Sequence, residues 1–175
     1  MSLGDRPAGG APIIISALLA QNDFAFFNTL RKAHFPAERN VLDAHLTLFH
    51  HLPPSAAADV TRALAQETRR AAPPKASVSA LISLGRGVAY RIVSEDLDAI
   101  RDRLAARFAG QLMPQDQSPW RAHITVQNKV PPAQARALKA TLEAGFRPRP
   151  LELAGLAAWW YRDGPWELLS RHRFG

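Results

Sequence analysis

Hydrophobic and polar positions along this chain follow two periods, which predict a mixture of strands and helices. Short apolar or alternating runs predict strands, and apolar residues recurring every three or four positions, such as Leu97, Ile100 and Leu104, predict helices. The predicted strands cover residues 12–19, 41–50, 76–84, 88–93, 121–127, 151–161 and 166–173. The predicted helices cover residues 23–34, 56–71, 95–109 and 133–144.

Turn and capping residues sharpen these boundaries. Gly85-Arg86-Gly87 and Asp163-Gly164 each separate two predicted strands and are typical of hairpin turns. Side chains that accept hydrogen bonds from backbone N–H groups precede three of the helices, and they predict N-caps. The predicted caps are Asn22 or Asp23, Ser55 and Ser94.

A short phrase occurs twice and divides the chain into similar halves. Ala44-His45-Leu46-Thr47-Leu48 precedes Pro53-Pro54, and Ala122-His123-Ile124-Thr125-Val126 precedes Pro131-Pro132 at the same internal spacing. Each half runs strand, helix, motif strand, Pro-Pro, helix. This order predicts an α+β fold of two duplicated half-domains related by a pseudo-two-fold, with antiparallel or mixed sheets rather than a doubly wound parallel sheet.

The repeated phrase places reactive side chains on one face of each motif strand. Residues two apart in a strand share a face, so His45 lies beside Thr47, and His123 lies beside Thr125. At neutral pH one histidine can accept a proton while another donates one. Threonine hydroxyls can donate to the non-bridging oxygens of a phosphate. If the halves pack about a dyad, the four groups suit acid–base chemistry on a phosphodiester, and the scheme requires no metal.

Composition and charge narrow the expected domain organisation, partners and cellular location of the protein. The 175 residues suit a single domain, which we expect over residues 12–175, after a disordered Gly-, Ala- and Pro-rich segment at 1–11. A net charge of +7 favours anionic partners, although dispersed arginines can also reflect genome composition. With no cysteine, disulfides, thiolate nucleophiles and cysteine-based zinc sites are excluded. Without a signal peptide or an apolar run long enough for a bilayer, we expect a soluble, cytoplasmic protein without membrane contact.

The two motifs, His45-Leu46-Thr47-Leu48 and His123-Ile124-Thr125-Val126, resemble the paired HxTx motifs of the 2H phosphoesterase superfamily. Within it, the chain is most similar to the bacterial 2′-5′ RNA ligase-like and cyclic nucleotide phosphodiesterase branch. The resemblance implies a bilobal fold with a central cleft between two antiparallel sheets. It also implies hydrolysis or transesterification of 2′,3′-cyclic or 2′-5′ phosphodiesters without a cofactor. By analogy, His45 is the acid, His123 the base, and Thr47 and Thr125 bind the phosphate.

Other residues near the motifs are candidate substrate contacts. Phe49 and Gln127 continue the motif faces if alternation persists, and Arg121 precedes His123 on the same face. Each has an alternative, because Phe49 and Gln127 can simply pack or cap a strand. Tyr161, in an aromatic-rich C-terminal segment, can line the cleft or pair across a hairpin. A metal site at His45, His50 and His51 is disfavoured, because His45 and His50 would point to opposite faces.

Three functional hypotheses follow, and all take a nucleotide or an RNA end as the partner. The first is a metal-independent phosphoesterase, which the intact histidines and threonines favour. The second is an RNA-binding module that keeps the cleft without turnover. The third is a 2′-5′ RNA ligase, which the dispersed charge makes less attractive. We expect a monomer.

Overall fold

The computed structural model describes residues 10–175 and contains seven strands and five α-helices in that part of the chain. The strands are β1 (Ile13–Leu19), β2 (Leu46–Leu52), β3 (Lys75–Ser83), β4 (Val88–Val93), β5 (His123–Gln127), β6 (Arg149–Trp160) and β7 (Glu167–Arg173). The helices are α1 (Gln21–His34), α2 (Ala57–Arg70), α3 (Glu95–Arg107), α4 (Pro114–Gln117) and α5 (Pro132–Ala144). All seven predicted strands and all four predicted helices are present, and α4 was not predicted.

All seven strands belong to one antiparallel sheet. Its order is β2-β1-β6-β3-β4-β5, with β7 paired to β6. The long strand β6 joins the two halves, because its residues 149–152 pair with β3 and its residues 153–160 pair with β1. The α+β class and the antiparallel pairing are therefore confirmed.

The sheet order reveals how the two halves are duplicated. Exchanging β1 with β4, β2 with β5, and β3 with β6 reverses the order β2-β1-β6-β3-β4-β5 onto itself. The first half contains β1, β2 and β3, and the second half contains β4, β5 and β6. The last strand of each half pairs with the first strand of the other half, so that β3 pairs with β4 and β6 pairs with β1. The pseudo-two-fold passes between β3 and β6, and β7 has no counterpart in the duplication.

The predicted turns and one predicted cap are confirmed. Gly85 adopts φ 80° in the β3–β4 turn. A Cβ on Gly87 would lie 2.0 Å from the carbonyl oxygen of Gln127, so this turn passes directly over the end of β5. The Ser94 hydroxyl accepts from the N–H of Leu97 at 3.0 Å and donates to the carbonyl of Lys75 at 2.7 Å. This cap thus also ties α3 to β3.

The other predicted caps are wrong. The N-cap of α1 is Ala20, and Asp23 instead accepts from Arg149 at 2.7 Å and from the N–H of Glu152 at 2.9 Å. A buried carboxylate is better satisfied by a cation and a strand N–H than by its own helix. Helix α2 follows a 3₁₀ turn at Pro54–Ala56, and Ser55 caps nothing.

Both motif strands begin later than predicted. Strand β2 starts at Leu46 rather than at residue 41, because the preceding segment bonds to side chains of α1 instead of to β1. The amide of Ala44 donates to Asn28 at 3.0 Å, and Arg31 donates to Asn40 at 3.2 Å. This irregular segment delivers His45 to the sheet edge.

Most of the N-terminal segment for which we predict disorder lies outside the described residues. Of the segment 1–11 that we expect to be disordered, residues 1–9 lie outside the described residues. Ala11, by contrast, is buried in the hydrophobic core, so that prediction extends too far. Between residues 10 and 175, no helix combines the length and the apolar character needed to cross a bilayer.

Candidate active site

The first motif lies on the outer strand β2. Leu46 and Leu48 are fully buried, whereas His45 and Thr47 are only partly buried. Thr47 pairs with Ser16 of β1. The predicted alternation therefore holds from His45 through Leu48, and it leaves the histidine and the threonine on the open face.

The second motif repeats this arrangement at the opposite end of the sheet. Ile124 and Val126 are fully buried, whereas His123 and Thr125 are partly buried. Thr125 pairs with Ala89 of β4, as Thr47 pairs with Ser16. The outer strands β2 and β5 are in contact, so the sheet curves until its two edges meet and the two motifs adjoin.

Side chains from each half hold the motif strand of the other. The Arg31 guanidinium of α1 donates to the carbonyl of Thr125 at 3.0 Å. In return, the Trp120 indole donates to the carbonyl of Thr47 at 3.0 Å, and Arg101 of α3 donates to that of Leu48 at 3.1 Å. Arg31 and Arg101 are both buried, so these bonds fix the relative position of the motifs.

Asp116 in α4 adds a further connection to β2. Its carboxylate accepts from the backbone N–H groups of His50 and His51 and from Nδ1 of His50, at 2.9–3.0 Å. Burial alone would raise the pKa of Asp116, but these hydrogen bonds outweigh burial and hold the pKa below its usual value. No spacing rule linked this acid to β2.

Both motif histidines are held in the same tautomer. Nδ1 of His45 lies 2.8 Å from the carbonyl oxygen of Asp43, and Nδ1 of His123 lies 2.8 Å from that of Arg121. A carbonyl can only accept, so Nδ1 carries the proton in both rings. In the neutral rings Nε2 is therefore the nitrogen that can accept a proton. Asp43 therefore orients His45 through its backbone carbonyl.

The electrostatic environment of His45 is unusual. Burial is the main cause that lowers its pKa to about 4, and the positive charges of Arg31, His123 and His50 act in the same direction. The hydrogen bond to Asp43 opposes them. Trp166 covers the ring at 4.6 Å between centroids. His45 is therefore neutral at pH 7 in the free protein, and it lies within electrostatic reach of His123.

A β-bulge in each motif strand overturns the expectation for Phe49 and Gln127. The pairing passes from Ser16–Thr47 to Ile15–Phe49 and from Ala89–Thr125 to Val88–Gln127, so one extra residue lies in each motif strand. An extra residue reverses the alternation beyond it. Both side chains are buried, and Phe49 packs 4.3 Å from the Arg101 guanidinium. Neither residue faces the site.

The remaining candidates, Arg121 and Tyr161, lie at the surface near the motifs. Arg121 is exposed, and its carbonyl anchors His123. Tyr161 is 41% exposed and lines a cavity together with His45 and Thr125. Both stay predictions as substrate contacts.

Two cavities meet at His45. The first, which we call the aromatic cavity, has a volume of about 360 Å³, and its walls include Phe24, Trp159, Trp166, Arg171 and Arg173. The second, which we call the cationic cavity, has a volume of about 330 Å³. Its walls include Thr125 and Tyr161 together with Arg31, Arg39 and Lys129.

Sequence reasoning missed several of these residues. Arg31 occupies the last turn of a helix, where an arginine is typical of a solvated end. Arg171 and Arg173 belong to a strand outside the duplication. Among residues 10–175 there is no group of three or more His, Cys, Asp or Glu residues that could hold a metal ion.

Two HxT motifs at the adjoining edges of one curved antiparallel sheet agree with the resemblance to the 2H phosphoesterase superfamily. The family model of the 2′-5′ RNA ligase superfamily matches residues 20–165, and the chain belongs to this superfamily. No curated protein matches the chain.

Solved structures similar to this one share its fold. TT0787 of Thermus thermophilus is 16% identical with a TM-score of 0.64, over 93% of this chain and 97% of its own. A structure described as a phosphoesterase is 17% identical with a TM-score of 0.55, over 94% and 98%. E. coli LigT complexed with 3′-AMP is 16% identical with a TM-score of 0.53, over 94% and 98%. At these identities the likeness establishes the fold.

Proposed function

We propose that this protein is a metal-independent phosphodiesterase that opens 2′,3′-cyclic or 2′-5′ phosphodiesters of nucleotides or RNA ends. The observation that carries the proposal is the pair of matched histidines, each fixed through Nδ1 to the carbonyl two residues earlier. A reaction that needs one proton removed and another supplied requires two such groups. The nucleotide complex of the E. coli relative with the same fold is consistent with this substrate class.

The proposed reaction uses the two histidines in one displacement. Nε2 of His45 accepts a proton from water while the water oxygen bonds to phosphorus. The bond from phosphorus to the ribose 3′ oxygen breaks, and His123 donates a proton to that oxygen, leaving a 2′-phosphate. The hydroxyls of Thr47 and Thr125 donate to the non-bridging oxygens, where charge develops.

These roles reverse the assignment that follows from the resemblance. A pKa of about 4 keeps His45 neutral at pH 7, so in the free protein it has a lone pair to accept a proton and no proton at Nε2 to donate. We therefore propose His45 as the base and His123 as the acid. The opposite orientation of a bound substrate would exchange them.

An assay on 2′,3′-cyclic nucleotides in the presence of EDTA tests this function. The wild type should give the 2′-phosphate, identified by phosphorus NMR, and His45→Ala and His123→Ala should each lose about a hundredfold or more of kcat. His51→Ala is the matched control, because His51 is exposed on the same strand β2 and should retain activity. Binding of the nucleotides without any product would favour the non-catalytic RNA-binding module.

A further inference from the structure

The wall of the aromatic cavity contains small residues, Ser16, Ala17 and Ala154, together with Arg171 and Arg173. On the open face of the sheet, Ala157 pairs with Ser16 on one side and with Arg171 on the other. Gly155 likewise pairs with Leu18 and with Arg173. The missing side chain at Gly155 is required, because a Cβ there would lie 2.1 Å from the carbonyl oxygen of His172. In the cavity wall itself, Ser16 of β1 and Ala154 of β6 accompany the two arginines, whereas Ala157 is fully buried.

Both arginines lack an acidic partner in residues 10–175. Several other arginines are paired, including Arg103 with Glu67, Arg107 with Asp59 and Arg149 with Asp23. No carboxylate lies within ion-pair distance of Arg171 or Arg173 in the described part of the chain. Among the described residues, Asp43 is the one acid in the cavity wall, and its carbonyl holds His45.

The distance between the arginines and the motif threonine indicates what the cavity can hold. Thr47, Ser16, Ala157 and Arg171 form one row across four neighbouring strands. Three steps of about 4.8 Å place the Cα atoms of Thr47 and Arg171 about 14 Å apart. At this separation, the Thr47 hydroxyl and the Arg171 guanidinium can contact two different anions of one ligand. The arginines suit a second anion on the same ligand, beyond the aromatic walls of Trp159 and Trp166.

We infer that Arg171 and Arg173 bind a second phosphate of the substrate, so that the substrate is a nucleotide chain or a 5′-phosphorylated nucleotide rather than a free cyclic mononucleotide. This inference rests on the proposed function for the first phosphate. The ribose and base span the cavity between the two anion sites. Guanidinium groups bind phosphate oxygens through charge-assisted, often bidentate hydrogen bonds.

Calorimetric binding of two product analogues tests the inference without requiring turnover. Adenosine 2′-monophosphate carries one phosphate, and adenosine 2′,5′-bisphosphate carries a second. We expect the wild type to bind the bisphosphate about tenfold more tightly, and this ratio to fall as salt screens the added charge. In Arg171→Met/Arg173→Met the ratio should approach one, while binding of the monophosphate changes less than about twofold.

The control removes the same net charge elsewhere. Arg136 and Arg147 are exposed and lie outside both cavities that meet at His45. Arg136→Met/Arg147→Met should therefore keep the tenfold ratio. Equal affinities of the wild type for the two ligands, or a ratio unchanged in the Arg171 and Arg173 variant, would overturn the inference.

Turnover then separates this inference from the function on which it rests. With a 2′,3′-cyclic nucleotide, with and without a 5′-phosphate, the wild type should show the same preference in kcat/KM. Turnover of both substrates with equal kcat/KM would overturn the second-phosphate site and leave the phosphodiesterase intact. No turnover of either, with the bisphosphate preference present, would overturn the phosphodiesterase and leave the site as a nucleotide-binding feature.

Discussion

The two halves of the sheet carry the same motif but give its histidine different surroundings. Both motif strands have buried residues at the second and fourth positions, a bulge after the threonine, and an Nδ1 bond to a carbonyl. Only the first half gains β7 and the β6–β7 turn, which bring Trp166 over His45. Duplication supplies two matched histidines, and Trp166 of the added C-terminal hairpin covers one of them, His45.

The largest expected effects test the motif threonine, which both halves share. If Thr47 and Thr125 both donate to the phosphate, Thr47→Val and Thr125→Val should each lower kcat about a hundredfold. Valine keeps the shape and removes the hydroxyl, so the measurement is steady-state kinetics together with the melting temperature. Full activity in either variant would show that the two halves do not bind one phosphate together.

A smaller effect tests the burial of His45. The unfolded chain binds a proton near pH 6.5, whereas folded His45 binds it only near pH 4. Stability from neutral His45 is therefore fully present above pH 6.5 and is lost as the pH falls toward 4. At pH 5 the loss should be about 2 kcal/mol.

Urea unfolding of the wild type and His45→Gln at pH 7 and pH 5 measures this loss. Glutamine does not titrate, so the variant should lose about 2 kcal/mol less than the wild type between these two values of pH. The same pH dependence in both proteins would show that burial does not lower the pKa of His45.

The smallest expected effect concerns Trp166. Trp166→Ala should admit water to the His45 ring and raise its pKa toward the ordinary value. Proton NMR titration of the ring of His45 measures the shift directly, and the acid limb of the pH–rate profile should move in the same direction. An unchanged titration of His45 would show that Trp166 does not create the difference between the halves.

The sequence was sufficient for features set by local chemistry. Alternation placed Leu46, Leu48, Ile124 and Val126 in the core, and Ser94 caps α3 as expected. The sequence did not predict features that depend on contacts with residues far away in the chain. The bulges that bury Phe49 and Gln127 depend on how β1 and β4 pair with the motif strands.

Long-range contacts explain the other differences at the site. Arg31 contacts a carbonyl 94 residues away, so its position in the last turn of a helix gave no indication of a buried role. The sequence also did not predict that β3 and β6 each pair with a strand of the other half. The pattern of each strand is compatible with pairing in either half. Arg171 and Arg173 can be related to the site only through the cavity wall that they share with His45.

A double-substitution cycle on the two histidines tests the central claim most directly. Steady-state kcat/KM for a 2′,3′-cyclic nucleotide, in the presence of EDTA, is compared among the wild type, His45→Ala, His123→Ala and the double variant. If both groups act in one displacement, each single variant should lose about a hundredfold or more, and the double variant should be little worse than the weaker single one. Near wild-type activity in one single variant, or losses that multiply in the double variant, would contradict a shared step at one phosphate.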